Sequence, residues 1–99
     1  MRLMETDVIK EFVEYAEEQG SKSPKKYYIH YSNLADKAVG ITNREQATTN
    51  QLCELAMIEN IIRNQLFTGM KMGLYYKDIF QNCKRQIELF KDIAYLNVG

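Results

Sequence analysis

The sequence predicts an all-α fold, a four-helix bundle-like single domain spanning residues 1–99, with the third helix at its centre. Three observations carry this. Four segments repeat apolar residues every three to four positions, and the breaks between them hold glycine, proline or a capping pair. The third segment alone is apolar on more than one side, so it must be surrounded, either by its own chain or by another copy. With 99 residues, 45% hydrophobic and 26% charged, the chain has the size and mixture of one ordinary globular domain.

The first helix is predicted over residues 7–18. Val8, Ile9, Phe12, Val13, Tyr15 and Ala16 share one side, and Lys10, Glu11, Glu14, Glu17 and Glu18 the other. Gly20 stands where a left-handed C-terminal cap belongs. The connector Ser21-Lys22-Ser23-Pro24 doubles as a helix start, with Ser23 as N-cap and Pro24 at the first helical position.

The second helix is predicted over residues 24–38, with Gly40 ending it. Tyr27, Tyr31, Leu34 and Ala38 follow helical spacing, flanked by Tyr28, Ala35 and Val39. A competing reading makes residues 27–31 a short strand followed by a helix capped by Ser32, because tyrosine and isoleucine favour strands. No second strand-like run exists to pair with it, so the helix is preferred.

Residues 41–47 form the longest connection. Thr48 with Gln51 three positions later makes a capping box, and the third helix is predicted over residues 49–72. Leu55, Ile58, Ile62 and Leu66 make one stripe, and Leu52, Ala56, Phe67 and Met70 a second. Met57 and Ile61 project elsewhere again. Gly73 stops this helix, and its spacing from Gly69 reads as a helix end rather than a packing motif. The fourth helix is predicted over residues 76–96. Ile79, Phe80, Cys83, Ile87, Phe90, Ile93 and Ala94 lie on one side, and Lys77, Asp78, Gln81, Lys84, Arg85, Glu88 and Asp92 on the other.

Composition excludes more than it identifies. The longest apolar run, Leu55-Ala56-Met57-Ile58, falls far short of the ~20 residues a membrane helix needs. Met1-Arg2-Leu3-Met4-Glu5 lacks the pattern of a signal peptide. The expected setting is therefore cytoplasmic, without membrane contact, and Cys53 and Cys83 are expected as reduced thiols in the core. His30 has no second ligand at metal-binding spacing, and residues 69–73 lack the remainder of a phosphate-cradling loop. Ser32 lies on a different side of the helix from His30, and no carboxylate pair is set up for acid–base work. The expectation is a protein that is not an enzyme and uses no metal or cofactor.

Thirteen basic residues balance thirteen acidic ones, but they are segregated. Six acids and two bases precede residue 19; five bases and one acid lie between Lys22 and Arg44. Lys26, His30, Asn33 and Lys37 are in register on the polar side of the second helix. Lys22, Lys25, Lys26, His30 and Lys37 are thus the candidate nucleic-acid contacts. Against this, Tyr27 and Tyr31 are spaced as core residues, whereas a base-stacking platform must be exposed. For self-association the candidates are Ile29, Met57 and Ile61, apolar residues off the face each helix would bury first. Glu59 and Arg63 join them, as either a surface pair or a buried ion pair fixing register.

Two strings carry a resemblance: Lys22-Ser23-Pro24-Lys25-Lys26-Tyr27-Tyr28-Ile29 through Asn33-Leu34-Ala35-Asp36-Lys37-Ala38-Val39-Gly40-Ile41, and Gly69-Met70-Lys71-Met72-Gly73-Leu74-Tyr75-Tyr76-Lys77-Asp78-Ile79. They resemble segments of small bacteriophage and prophage proteins, and are similar to the helical C-terminal region of phage regulatory proteins of the Rha type. The N-terminal module of full-length proteins of that type is not in this sequence. The resemblance implies a mobile-element origin and a bacterial host cytoplasm, and no reaction. Together with the residues it points to a non-enzymatic, regulatory or accessory interaction module, expected as a homodimer that engages an unidentified protein partner. The alternative is a nucleic-acid-binding accessory using the basic face of the second helix.

Overall fold

The computed structural model describes the backbone of residues 7–98 and the side chains of residues 8–93. Residues 1–5, whose sequence lacks a signal-peptide pattern, and the side chain of Ala94 lie outside the described residues. The helices are α1 (Asp7–Glu18), α2 (Lys26–Val39), α3 (Thr49–Lys71) and α4 (Tyr76–Val98), with a 3₁₀ turn at Arg44–Gln46. No strand occurs among the described residues. The fold class is the predicted one, and α3 packs against each of the other three helices.

One core holds the bundle together. Ile9, Phe12, Val13 and Ala16 from α1 and Tyr31 and Ala35 from α2 close over Leu55, Ile58, Ile62 and Leu66 of α3. Tyr76, Ile79, Cys83 and Ile87 of α4 complete it. Residues 27–31 are helical, which overturns the strand alternative: a buried Tyr31 and Ala35 supply the tertiary packing that overrides strand propensity.

The helix ends use the glycines the sequence offered. Gly40 and Gly73 have φ of 82° and 72°, a conformation that costs glycine nothing. At the end of α2, Gly40 N–H donates to Lys37 O and Ile41 N–H to Asp36 O (2.9 Å), satisfying carbonyls the helix leaves open. Ile41 is thereby turned into the core. Thr48 and Gln51 form the predicted capping box, each side chain accepting from the other residue's backbone N–H.

Four local expectations are corrected. α2 starts at Lys26 rather than at residue 24, because Lys26, Tyr27 and Tyr28 N–H donate to Ser23, Pro24 and Lys25 carbonyls in tight i→i+3 turns. Lys25 then occupies the N-cap position and Ser23 does not cap. Residues 41–47 are not simply loop: the Arg44–Gln46 turn is capped by the Asn43 side chain, which accepts from Glu45 N–H. Arg44 holds this segment down with a forked contact to Asp36 (2.8 Å from Nη2). Gly69 is a packing residue after all. It is buried where α3 crosses α4, and a Cβ there would lie 2.7 Å from Ile79 Cγ1. Ile93, predicted on the apolar side of α4, is exposed.

A clamp ties α1 to the α3–α4 turn. Gln19 Oε1 accepts from Tyr76 N–H (2.7 Å) and its Nε2 donates to Leu74 O (3.2 Å). Tyr15 OH donates to the same carbonyl. The first N–H groups of a helix have no partner within it, and Gln19, in the turn just past α1, supplies one for α4.

Candidate interaction surfaces

α3 is covered on one side only. At ~100° per residue, Leu55, Ile58, Ile62 and Leu66 define its inner side. Cys53, Met57, Asn60, Asn64, Phe67 and Lys71 run along the opposite side, and all six are exposed. Met57 is 57% and Phe67 56% exposed, and Leu52 on the flank is 46% exposed. The charges among the exposed residues of this helix are Arg63 and Lys71, with no carboxylate. Lys71 Nζ lies 6.0 Å from the Phe67 ring centre.

Of the residues singled out for self-association, the structure exposes Met57 and Arg63 on α3 and Ile29 on α2. Ile29 lies on a different helix from Met57, Glu59, Ile61 and Arg63. Ile61 is half-buried against the core, because it neighbours the Ile58–Ile62 stripe rather than opposing it. The expected Glu59–Arg63 pair is not formed. The Glu59 carboxylate, half-buried, lies 4.0 Å from Arg44, while Arg63 is exposed. Cys53 is also corrected: it is exposed, whereas Cys83 is fully buried.

All five candidate nucleic-acid contacts, Lys22, Lys25, Lys26, His30 and Lys37, are exposed. Tyr31 is fully buried and Tyr27 half-buried, as their core spacing predicts. The sequence did not show that α4 adds further cations alongside. Lys84 and Lys91 line one open groove with Lys37, over an apolar floor of Leu34, Ala38 and Ile87, enclosing about 330 Å³. Their spacing of seven residues along α4 was the available signal; their neighbour across the groove was not readable from sequence.

At the heart of the α1–α2–α4 junction, Phe12 meets Tyr31 and Tyr27 edge-on, at ring-centre distances of 5.4 and 5.2 Å. Phe80 lies 5.0 Å from Tyr31. The Tyr31 hydroxyl makes no hydrogen bond of normal geometry; it interacts loosely with the Cys83 thiol, a weak partner. Burial drives the Tyr31 phenol far above its usual range and pushes the Cys83 thiol up to about 12, the tyrosine contact lowering the latter slightly. This locks both groups in their protonated, unreactive forms. Among the described residues no three His, Cys, Asp or Glu side chains group as metal ligands, and no helix is long and apolar enough to cross a membrane.

Searches of protein-family models, curated proteins and solved structures found no match to this chain.

Proposed function

We propose that this chain is a non-enzymatic helical interaction module, of phage or prophage origin, that pairs with a second copy of itself through the outer side of α3. The observation that carries the reading is the exposure of Met57 and Phe67 on a helix face with no carboxylate. The stripe is also self-complementary. Met57 and Phe67 are equidistant from Ile62, as are Asn60 and Asn64, and Cys53 and Lys71. A two-fold interface needs this property, since residue i of one copy meets j of the other and j meets i.

Two α3 helices packed antiparallel about Ile62 set Met57 against Phe67 and Asn60 against Asn64. The apolar pairs supply burial and the central amides specify register, as a single polar core position does in a coiled coil. Arg63 then flanks the axis, where its stem packs and its guanidinium reaches water. Ile29, on α2, stays uncovered and is available to a separate protein partner in the host cytoplasm.

Light scattering at micromolar and millimolar protein tests the pairing, and disulfide trapping tests its direction. In a Cys53→Ser background, Met57→Cys mixed with Phe67→Cys should give the mixed disulfide dimer and little of either like-with-like product. A strict monomer at millimolar concentration refutes the pairing. Like-with-like dimers refute the antiparallel register while leaving self-association intact.

A further inference from the structure

α2 and α4 run side by side in the same direction. Tyr27 meets Tyr76 (6.0 Å) and Phe80 (5.9 Å), Tyr31 meets Phe80, and further along Leu34, Lys37 and Ala38 share a groove with Lys84, Ile87 and Lys91. Parallel placement aligns two rows of cations that are far apart in sequence. Lys26 and Lys37 follow one edge of α2, with the His30 ring beside them. Lys77, Lys84 and Lys91 recur every seven residues on α4, a spacing that drifts only ~20° around a helix. Fourteen residues at 1.5 Å each make that row about 21 Å long.

The charge balance along this groove favours an anion. Lys91 is tied to Glu54, and Glu88 and Asp92 also line the groove. In the groove lining itself Lys37 and Lys84 balance those two carboxylates; along both helices the exposed Lys26, Lys37, Lys77 and Lys84 stand against Asp78, Glu88 and Asp92, and Lys22 and Lys25 extend the row at the start of α2. Between the rows lies an aromatic cluster. The exposed His30 ring is 5.6 Å from Tyr27 and 6.4 Å from Phe80, and Lys84 Nζ is 6.0 Å from the Phe80 ring centre.

We infer that this groove binds a single nucleic-acid strand without strong sequence preference, with lysines on the phosphates and the His30 edge of the aromatic cluster against a base. Cations repeated along both lips match a regularly charged backbone, and rings between them match the stacking component of single-strand sites. An acidic peptide would use the first feature and leave the second without a role. The site occupies α2 and α4, and it does not depend on pairing through α3.

Fluorescence anisotropy of a labelled oligo-dT strand with the full chain tests this. Binding is expected at low salt, falling as salt rises with a log–log slope of about −0.7 per phosphate contact. Lys37→Glu with Lys84→Glu should weaken it about tenfold or more and flatten that slope. Lys10→Glu on α1, equally exposed but off the groove, should leave it unchanged. Glu88→Gln with Asp92→Asn should tighten binding severalfold, a gain that a misfolded variant cannot produce. The inference is overturned by absence of binding at low salt, by equal loss in the Lys10→Glu control, or by equally tight binding of polyglutamate. Equal affinity for a duplex of the same length overturns the single-strand assignment.

Discussion

Tyr31 and Cys83 illustrate what one buried polar atom does. The phenol contributes a ring to the Phe12–Phe80 cluster, but its buried hydroxyl has only the weakly bonding Cys83 thiol beside it and no partner of normal geometry. Leaving such a group unpaired costs about 1–3 kcal/mol. Tyr31→Phe keeps the ring and removes the cost, so chemical denaturation should show unchanged or higher stability, whereas Tyr31→Leu should lose stability through the missing ring. The raised Cys83 value fixes the sign of a pH effect. In the unfolded chain the thiol ionises near 9.0 and in the folded chain near about 12. Its stabilising contribution is therefore fully present below 9.0 and is lost as pH rises toward 12, at up to roughly 1.4 kcal/mol per pH unit. Urea melts at neutral and alkaline pH should show the decline, and Cys83→Val should remove the part that sets in from pH 9.0, leaving the part that Tyr31 adds above 10.0. The two cysteines also show how far residue identity was legible. Both sit in apolar patterns, yet Cys53 is two positions from Leu55, and residues two apart never share a helix face. A thiol reagent should accordingly label Cys53 at once in the native protein and Cys83 only after unfolding.

At the scale of an element, local chemistry was legible and distant partnership was not. The Thr48–Gln51 box and the glycine stops are short-range patterns, and each is present as read. Gly69 was misread as part of a helix end because its reason lies across the α3–α4 interface. A methyl there would raise helix propensity by about 1 kcal/mol, but it meets Ile79, a β-branched side chain with little freedom to give. Overpacking costs typically 1–3 kcal/mol, so Gly69→Ala should be neutral to destabilising by about 2 kcal/mol, and combined with Ile79→Ala it should cost less than the sum of the two single losses, because the clashing atoms are gone. Gln19 left no trace in the sequence, since its partner Tyr76 is 57 positions away and polar clamps have no period. Gln19→Ala removes one bond to a helix-start N–H and one to Leu74 O; a loss of about 1–2 kcal/mol is expected in a urea melt. Gln19→Glu keeps the acceptor for Tyr76 N–H and loses the donor for Leu74 O, so it should fall between wild type and alanine.

At the scale of the molecule, hydrophobic periodicity located the central helix and left open what covers its second apolar side. Apolar residues on several sides of α3 implied a surrounded rod, but three neighbours cover only the side bearing Leu55, Ile58, Ile62 and Leu66. Pattern alone does not say whether a second apolar side meets the same chain, another copy or water; packing decides that. The basic row of α2 was legible, but its alignment with the lysines of α4 was not, because only the parallel placement of the two helices makes them neighbours. The outer side of α3 gives a test at this scale. In an isolated chain, side chains as exposed as Met57 and Phe67 can be made polar at a cost usually within about 0.5 kcal/mol. In a self-associating chain the folded dimer draws stability from concentration, so Tm rises as protein is added. Met57→Lys with Phe67→Lys should therefore abolish the concentration dependence of Tm while leaving the Tm of dilute protein almost unchanged. A double variant that melts lower at every concentration would assign these two residues to the monomer's own stability. A wild-type Tm that does not move with concentration would leave the apolar side of α3 without a second copy to cover it.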